Sequence, residues 1–251
     1  YGDHRDLHLS IRRQRQMCIR DSIEAYKPGK SKINKIKKVI KLSANESALG
    51  MSPLAKKAIS KKNLVLDKYP DGKSTNLKMA ISKAYKCNFD KIICGAGSDE
   101  VIQMLCQLFL KPGDEVIVPA TSFPTTVAPL VQNRLTPVFV DCGLADYNLD
   151  INQVQAAISS RTRAIMFAHT LGNPADMDSI MEIVNEHNLI LIEDVCESHG
   201  ATFREKKLGT YGLMSNFSFY YAHHMSTIEG GMLCCNNKFL NELAKSKRSF
   251  G

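Results

Sequence analysis

Three short stretches hold side chains whose types and spacing could do chemistry. In "LILIEDVCESHGA", residues 189–201, Glu193 and Asp194 end a strongly apolar run. A carboxylate buried there is costly unless it meets a cation. A protonated pyridine nitrogen, a metal ion or an internal arginine would each serve. In "FSFYYAHHMSTIEGG", residues 217–231, Ser218 ends a strand-like run and His223 and His224 follow. Imidazole titrates near neutrality and can move protons, although a histidine met alone is more often structural. In "CGAGSDEVIQMLCQLFL", residues 94–110, a glycine-rich turn precedes a helix. Ser98 reads as its N-cap, and Val101, Leu105 and Leu108 share one face. Backbone N–H groups at such a helix start can cradle a phosphate; the alternative is a plain strand-to-helix turn. The turn is not G-x-G-x-x-G, since position 100 is Glu, and "PGKS" at 28–31 is not a Walker A loop, since position 24 is Glu.

The elements that must position these groups follow from the apolar pattern. Strands are expected at 91–95, 115–120, 136–141, 163–170, 189–195, 216–221 and 231–236, several apolar throughout, as for strands buried on both faces. Helical patterns fall between them at 98–110, 123–133, 151–159 and 176–187. The alternation implies an α/β fold with a mostly parallel sheet. Ligands of such sheets bind at the carboxyl ends of the strands, where all three stretches lie. Residues 23–75 are Lys-, Ser- and Asn-rich and read as an N-terminal arm, with a short helix starting at Ser52-Pro53. "GTYG" at 209–212 and "EGG" at 229–231 are turn signals.

The whole chain narrows the options. It has 251 residues, 44% hydrophobic and 23% charged, which suits one sizeable domain. No apolar run approaches the roughly 20 residues that span a bilayer, so no membrane partner is expected. The net charge of +8 comes from dispersed Lys and Arg with a cluster at 27–41 that no aromatic residue interleaves. A solvated basic face fits this better than nucleic-acid binding. The eight cysteines, Cys18, Cys87, Cys94, Cys106, Cys142, Cys196, Cys234 and Cys235, form no C-x-x-C pair. Free thiols in a reducing, cytoplasmic setting are expected. Residues 1–22 have neither hydrophobic period nor turn logic, resemble translated sequencing-adaptor sequence, and are expected to be a non-native or disordered leader.

Taken in order, these pieces resemble the fold-type I enzymes that use pyridoxal 5′-phosphate. "KLSANESALGMSP" 41–53, "DKYPDG" 67–72 and "IICGAGSDEVIQMLCQLFLKPGDEVI" 92–117 resemble the start of histidinol-phosphate aminotransferases. "PGDEVIVPATSFPTTV" 112–127, "HTLGNPADMDSIMEI" 169–183, "IEDVCESHGA" 192–201 and "FSFYYAHHMSTIEGG" 217–231 resemble the DegT/DnrJ/EryC1/StrS sugar aminotransferases. Within that family, "AHH" and "HTLGNP" are most like the CDP-4-keto-6-deoxyglucose 3-dehydrases and their relatives. The two resemblances meet at "LKPGDEVIVP" 110–119, and a chimeric fragment is expected, its large domain running from 76 to 251 and the family's smaller C-terminal domain missing.

The resemblance implies a seven-stranded, mostly parallel sheet between helices and a set of roles. Asp99 and Glu100 match positions whose backbone N–H groups bind the cofactor phosphate, with Ser98 beside them, and Ser218 matches a serine that hydrogen-bonds it. Phe123 matches an aromatic stacked on the pyridine ring, and Asp194 the aspartate that keeps the ring nitrogen protonated. Glu197 stands where many members have Gln facing the ring hydroxyl. Tyr69 matches a tyrosine that reaches the neighbouring subunit's phosphate, which implies a homodimer. His223 matches the lysine that bonds the cofactor, and Ile228 stands where Gly is usual before Glu-Gly-Gly. Cys196 aligns with the first of four ligands of a [2Fe-2S] cluster in one branch. Without the lysine, the cofactor is held noncovalently and works as pyridoxamine 5′-phosphate, and His223 removes a proton from its amine-bearing carbon. The expected reaction is 3-dehydration of a nucleotide-linked keto sugar. The alternatives are an aminotransferase acting on histidinol phosphate or a nucleotide sugar, and a noncatalytic fragment.

Overall fold

In a computed structural model the described residues are 49–60, 68–221 and 223–248. The leader 1–22, the basic run 27–41 and most of the arm 23–75 lie outside them. The chain divides into two compact units, Tyr1–Lys62 and Asn63–Gly251. In the first, the described segment forms helix α1 (Pro53–Ile59), with Ser52 at the N-cap and Pro53 opening the helix, where a missing N–H costs nothing.

The second unit opens with α2 (Thr75–Tyr85) and then alternates strand and helix. β1 (Ile92–Gly95) leads into α3 (Ser98–Phe109), β2 (Glu115–Pro119) into α4 (Pro124–Gln132), and β3 (Thr136–Val140) into α5 (Ile151–Ala157). β4 (Thr162–Ala168) leads into α6 (Met177–Glu186), and β5 (Ile190–Asp194) into a small hairpin of β6 (Thr202–Phe203) and β7 (Lys206–Lys207). β8 (Met214–Ser218), β9 (Gly231–Cys235) and α7 (Lys238–Arg248) complete it. The sheet has seven strands in the order β1-β9-β8-β5-β4-β2-β3. β9 runs antiparallel to β1 and β8, and every other pairing is parallel.

The central strands are apolar throughout because both faces are covered. Val116, Val118, Met166 and Ile192 pack with Val101, Leu105 and Leu130 of α3 and α4. Their neighbours Ile117, Ile165, Phe167 and Leu191 pack on the opposite face with Met177, Ile180 and Ile183 of α6. Period-2 alternation along β5 therefore sends Asp194 toward the α3 face and Glu193 toward the α6 face.

Three boundaries differ from the sequence reading. The N-cap of α3 is Gly97, not Ser98; its extended backbone opens the helix and Ser98 is the first helical residue. No side chain caps the helix; Glu100 Oε2 instead accepts from the Ala96 N–H, in the turn before the N-cap, at 2.5 Å. The strand expected at 216–221 is shifted to 214–218, because Met214 and Ser215 pair with Ile192 and Glu193 while the chain turns after Ser218. Helices α2 and α7 were not expected from the apolar pattern; each buries only one or two side chains, Lys78 in α2 and Asn241 and Ala244 in α7.

Candidate active site

Asp194 ends β5, only 6% exposed. Its Oδ1 accepts from the Cys196 N–H at 3.0 Å and from the Asn216 Nδ2 at 3.1 Å. Both nitrogen donors converge on Oδ1, and the Cys196 thiol lies within hydrogen-bonding reach of the same carboxyl. Burial pushes the carboxyl above its ordinary range, a shift that Cys196 and Asn216 oppose and the nearby Glu197 carboxylate reinforces. A cation placed at Oδ2 would relieve that cost.

Glu193, read with Asp194 as one acidic pair, is turned the other way and serves the fold. It accepts three backbone bonds from the "GTYG" loop, from Gly209 at 2.7 Å, Tyr211 at 2.8 Å and Gly212 at 2.6 Å. His169 stands behind it, Nε2 lying 3.6 Å from Glu193 Oε2 while Nδ1 accepts from the Ala175 N–H at 3.2 Å. Gly212 must be glycine, since a Cβ there would lie 2.5 Å from the Leu191 carbonyl oxygen.

The start of α3 approaches Asp194 from the adjoining strands. A Cβ on Gly231 would lie 2.3 Å from Gly97 carbonyl atoms and 2.7 Å from the Ser98 nitrogen, so β9 runs directly beneath this turn. Ser218 pairs with Gly231 in register and is buried, its Oγ accepting from the Tyr220 N–H at 3.3 Å. Ser218 and the first N–H groups of α3 thus stand one strand apart. The Ser98 hydroxyl lies within hydrogen-bonding reach of the Cys196 thiol. Asp99 and Glu100 also line an open groove of about 340 Å³ with Gln103, Thr125, Pro129 and Gln132, between α3 and α4. Phe123, at the N-cap of α4, is 68% exposed.

His223 sits on the turn after β8, its N–H donating to the Tyr220 carbonyl at 3.0 Å. Burial holds the imidazole below its ordinary value and His224 adds to this, while Asp194 and Glu197 pull the other way. The imidazole thus stands near two carboxylates. Glu197 bonds outward, Oε2 accepting from the Leu171 N–H at 2.9 Å. It thereby ties the site to the "HTLGNP" loop, where Leu171 is left-handed at φ 54°. A glutamine could accept the same bond. Tyr69 is fully exposed.

Two residues of this site were not singled out from the sequence. Asn216 is buried and bonded to Asp194; it lies two residues before Ser218, on the same strand face, and that spacing was the available signal. His199 packs against Phe217 and Phe219, with ring centroids 5.5 Å away in each case, and lies 6.0 Å from His224. Burial, with His224 and His223 nearby, brings its pKa to about 4.

Cys196, aligned with a cluster ligand, is buried, and its sulfur accepts from the Asn216 Nδ2 at 3.3 Å. Burial and the adjacent Asp194 carboxylate push the thiol well up. Among the described residues, no group of three or more His, Cys, Asp or Glu is arranged to hold a metal ion. Nor is any helix among them long and apolar enough to cross a membrane.

A histidinol-phosphate aminotransferase of Pelagibacter ubique is 44% identical over 184 residues, covering 68% of this chain and 49% of the relative. A dTDP-4-dehydro-2,6-dideoxy-D-glucose 3-dehydratase of Saccharopolyspora spinosa is 49% identical over 142 residues, covering 57% and 31%. Among solved structures, the E. coli GDP-4-keto-6-deoxy-D-mannose-3-dehydratase with bound hydrated PLP superposes with a TM-score of 0.69 at 32% identity, covering 80% of this chain and 52% of that one. The chain spans about a third to about a half of the length of these proteins. The sequence profile of the DegT/DnrJ/EryC1/StrS aminotransferase family matches residues 85–251, two thirds of the chain, and the chain belongs to that family.

Proposed function

We propose that this chain is the cofactor-binding body of an enzyme that removes the 3-hydroxyl of a nucleotide-linked 4-keto sugar. The cofactor would be pyridoxal 5′-phosphate, working in its amine form, pyridoxamine 5′-phosphate, and held without a covalent bond. One observation carries the reading: buried Asp194 ends β5 with both nitrogen donors on Oδ1, and His223 stands on the turn after the neighbouring strand β8, where the resembling enzymes carry lysine.

Asp194 Oδ2 takes the protonated ring nitrogen, and that cation offsets the cost of the buried carboxylate. The N–H groups of Ser98, Asp99 and Glu100 and the Ser218 hydroxyl take the phosphate. Phe123 covers the ring face, and Glu197 stands at the ring hydroxyl. When bound, the cofactor supplies an amine to join the sugar carbonyl and a ring to accept electrons. With the cofactor bound, His223 would be the group to accept a proton from the amine-bearing carbon and to return it to the departing 3-hydroxyl, which would leave as water. A lysine would instead retain the cofactor by a covalent bond. The two lysines that most closely precede His223 are engaged elsewhere. Lys206 Nζ lies 3.9 Å over the Tyr211 ring, and Lys207 Nζ donates to the Gly200 carbonyl at 3.0 Å. Two of the similar proteins carry 3-dehydratase names, which supports this reading. Exposed Tyr69 suits a homodimer in which each copy completes the other's phosphate site.

The second reading, an aminotransferase, draws on the histidinol-phosphate aminotransferase name. A single-turnover assay separates the readings: the chain with excess pyridoxamine 5′-phosphate and a GDP- or dTDP-linked 4-keto-6-deoxy sugar, products weighed by mass spectrometry. A sugar lacking its 3-hydroxyl is expected. A 4-amino sugar that keeps the hydroxyl would mean amino transfer. Cofactor binding with unchanged sugar would mean a noncatalytic body.

A further inference from the structure

We propose that Asn216 is a positioning residue for Asp194, and that the Cys196 thiol belongs to the same shell. The proposal rests on the reading of Asp194 as the group that holds the cofactor ring nitrogen.

A carboxylate that must meet a ring N–H in one direction needs its other oxygen fixed. Asp194 has that arrangement. The Asn216 amide is fully buried, and its Nδ2 reaches both Asp194 Oδ1 at 3.1 Å and Cys196 Sγ at 3.3 Å. The Cys196 N–H holds the same Oδ1 from the other side. Asn216 projects from β8, and Cys196 follows directly after β5, so two neighbouring strands fix the carboxylate from independent directions. Nothing in the strand pairing requires an amide at 216: its backbone pairs with Asp194 and Leu233 whatever its side chain. Asn216 Oδ1 has no partner among the described residues, so the amide is poorly explained as a purely structural bridge. The groups facing Asp194 are Glu197 on its own loop, His223 from the turn after β8, and Cys196 with Ser98 behind it. Asn216 contributes the only side-chain N–H donor among the described bonds to this carboxylate.

The test titrates the chain, Asn216→Leu, Asp194→Ala, Cys196→Ser and Cys196→Ala with pyridoxamine 5′-phosphate. It reads the dissociation constant and the absorption band of the bound ring, which reports ring protonation. Asn216→Leu should weaken binding about tenfold, the loss of one charge-assisted hydrogen bond, and move the band toward the unprotonated ring. A merely structural defect lowers the fraction of folded protein without moving that band. Cys196→Ser, which keeps an acceptor for Asn216, should restore the parent's band where Cys196→Ala shifts it. If Asn216→Leu binds like the parent while Asp194→Ala does not, the positioning role is wrong and the reading of the site stands. If Asp194→Ala binds like the parent, or the parent does not bind, that reading fails too.

Discussion

Ile228 shows how one residue departs from what its position wants. It lies in the turn before Glu-Gly-Gly at φ 75°, 78% exposed. The left-handed region costs a β-branched residue roughly 1–2 kcal/mol, and the glycine usual in resembling sequences adopts it freely. Ile228→Gly should therefore stabilise the fold by about 0.5–1 kcal/mol after the added freedom of the unfolded chain is deducted, measured as a rise in the urea midpoint. The strain was legible in the sequence as a missing glycine. His199 was not, because nothing local to "CESHGA" tells that two phenylalanines from another strand close on it. Its pKa falls from 6.5 to about 4 in the fold, so between those values the unfolded chain binds more protons and stability rises with pH. The full shift corresponds to at most about 3.4 kcal/mol; the ring is only half-buried, and solvent screening reduces this to about 1–2 kcal/mol. Stability should be whole above pH 6.5 and fall as pH drops toward 4. His199→Phe should flatten that slope in denaturation curves taken between pH 4 and 7.

At the scale of elements, two contacts make the site and both involve backbone. Glu193 gathers three N–H groups of the 209–212 loop. Glu193→Ala would strand them, at about 1–3 kcal/mol for each left without a partner. A loss of about 3 kcal/mol or more is expected in urea unfolding, with hydrogen-exchange protection falling first at Gly209, Tyr211 and Gly212. Gly231 lets β9 pass under the start of α3. Gly231→Ala would drive a Cβ into Gly97 backbone, which cannot turn aside as a side chain can. A cost of about 1–3 kcal/mol is expected, together with weaker phosphate binding, since the displaced N–H groups are those proposed for it; calorimetry with inorganic phosphate and cofactor reads both. Element types were legible because strands buried on both faces read as continuous apolar runs. Elements that bury little, α2 and α7, leave no such trace. Ser98 looked like a cap because its residue type suits one, but Gly97 holds that position with its backbone alone.

At the scale of the molecule, the sheet separates two tasks that the sequence writes side by side. Glu193 and Asp194 are adjacent in the chain, yet one face of the sheet uses the first to hold a loop and the other presents the second to the site. Sequence adjacency suggested a shared role; strand alternation divides it. The fold class and the set of loops at the carboxyl ends were readable from order and spacing. The convergence of Asn216, Cys196 and Asp194 was not, because it depends on β8 lying beside β5, a pairing of strands separated by the β6–β7 hairpin and the "GTYG" loop. The central claim is that His223 replaces a covalent anchor while Asp194 holds the cofactor. Its most direct test is to incubate the chain with pyridoxal 5′-phosphate, reduce with borohydride and weigh the intact protein, with noncovalent binding followed in parallel. Binding without a mass increase, lost in Asp194→Ala, is the expected result. A covalent adduct mapping to a single lysine would contradict it.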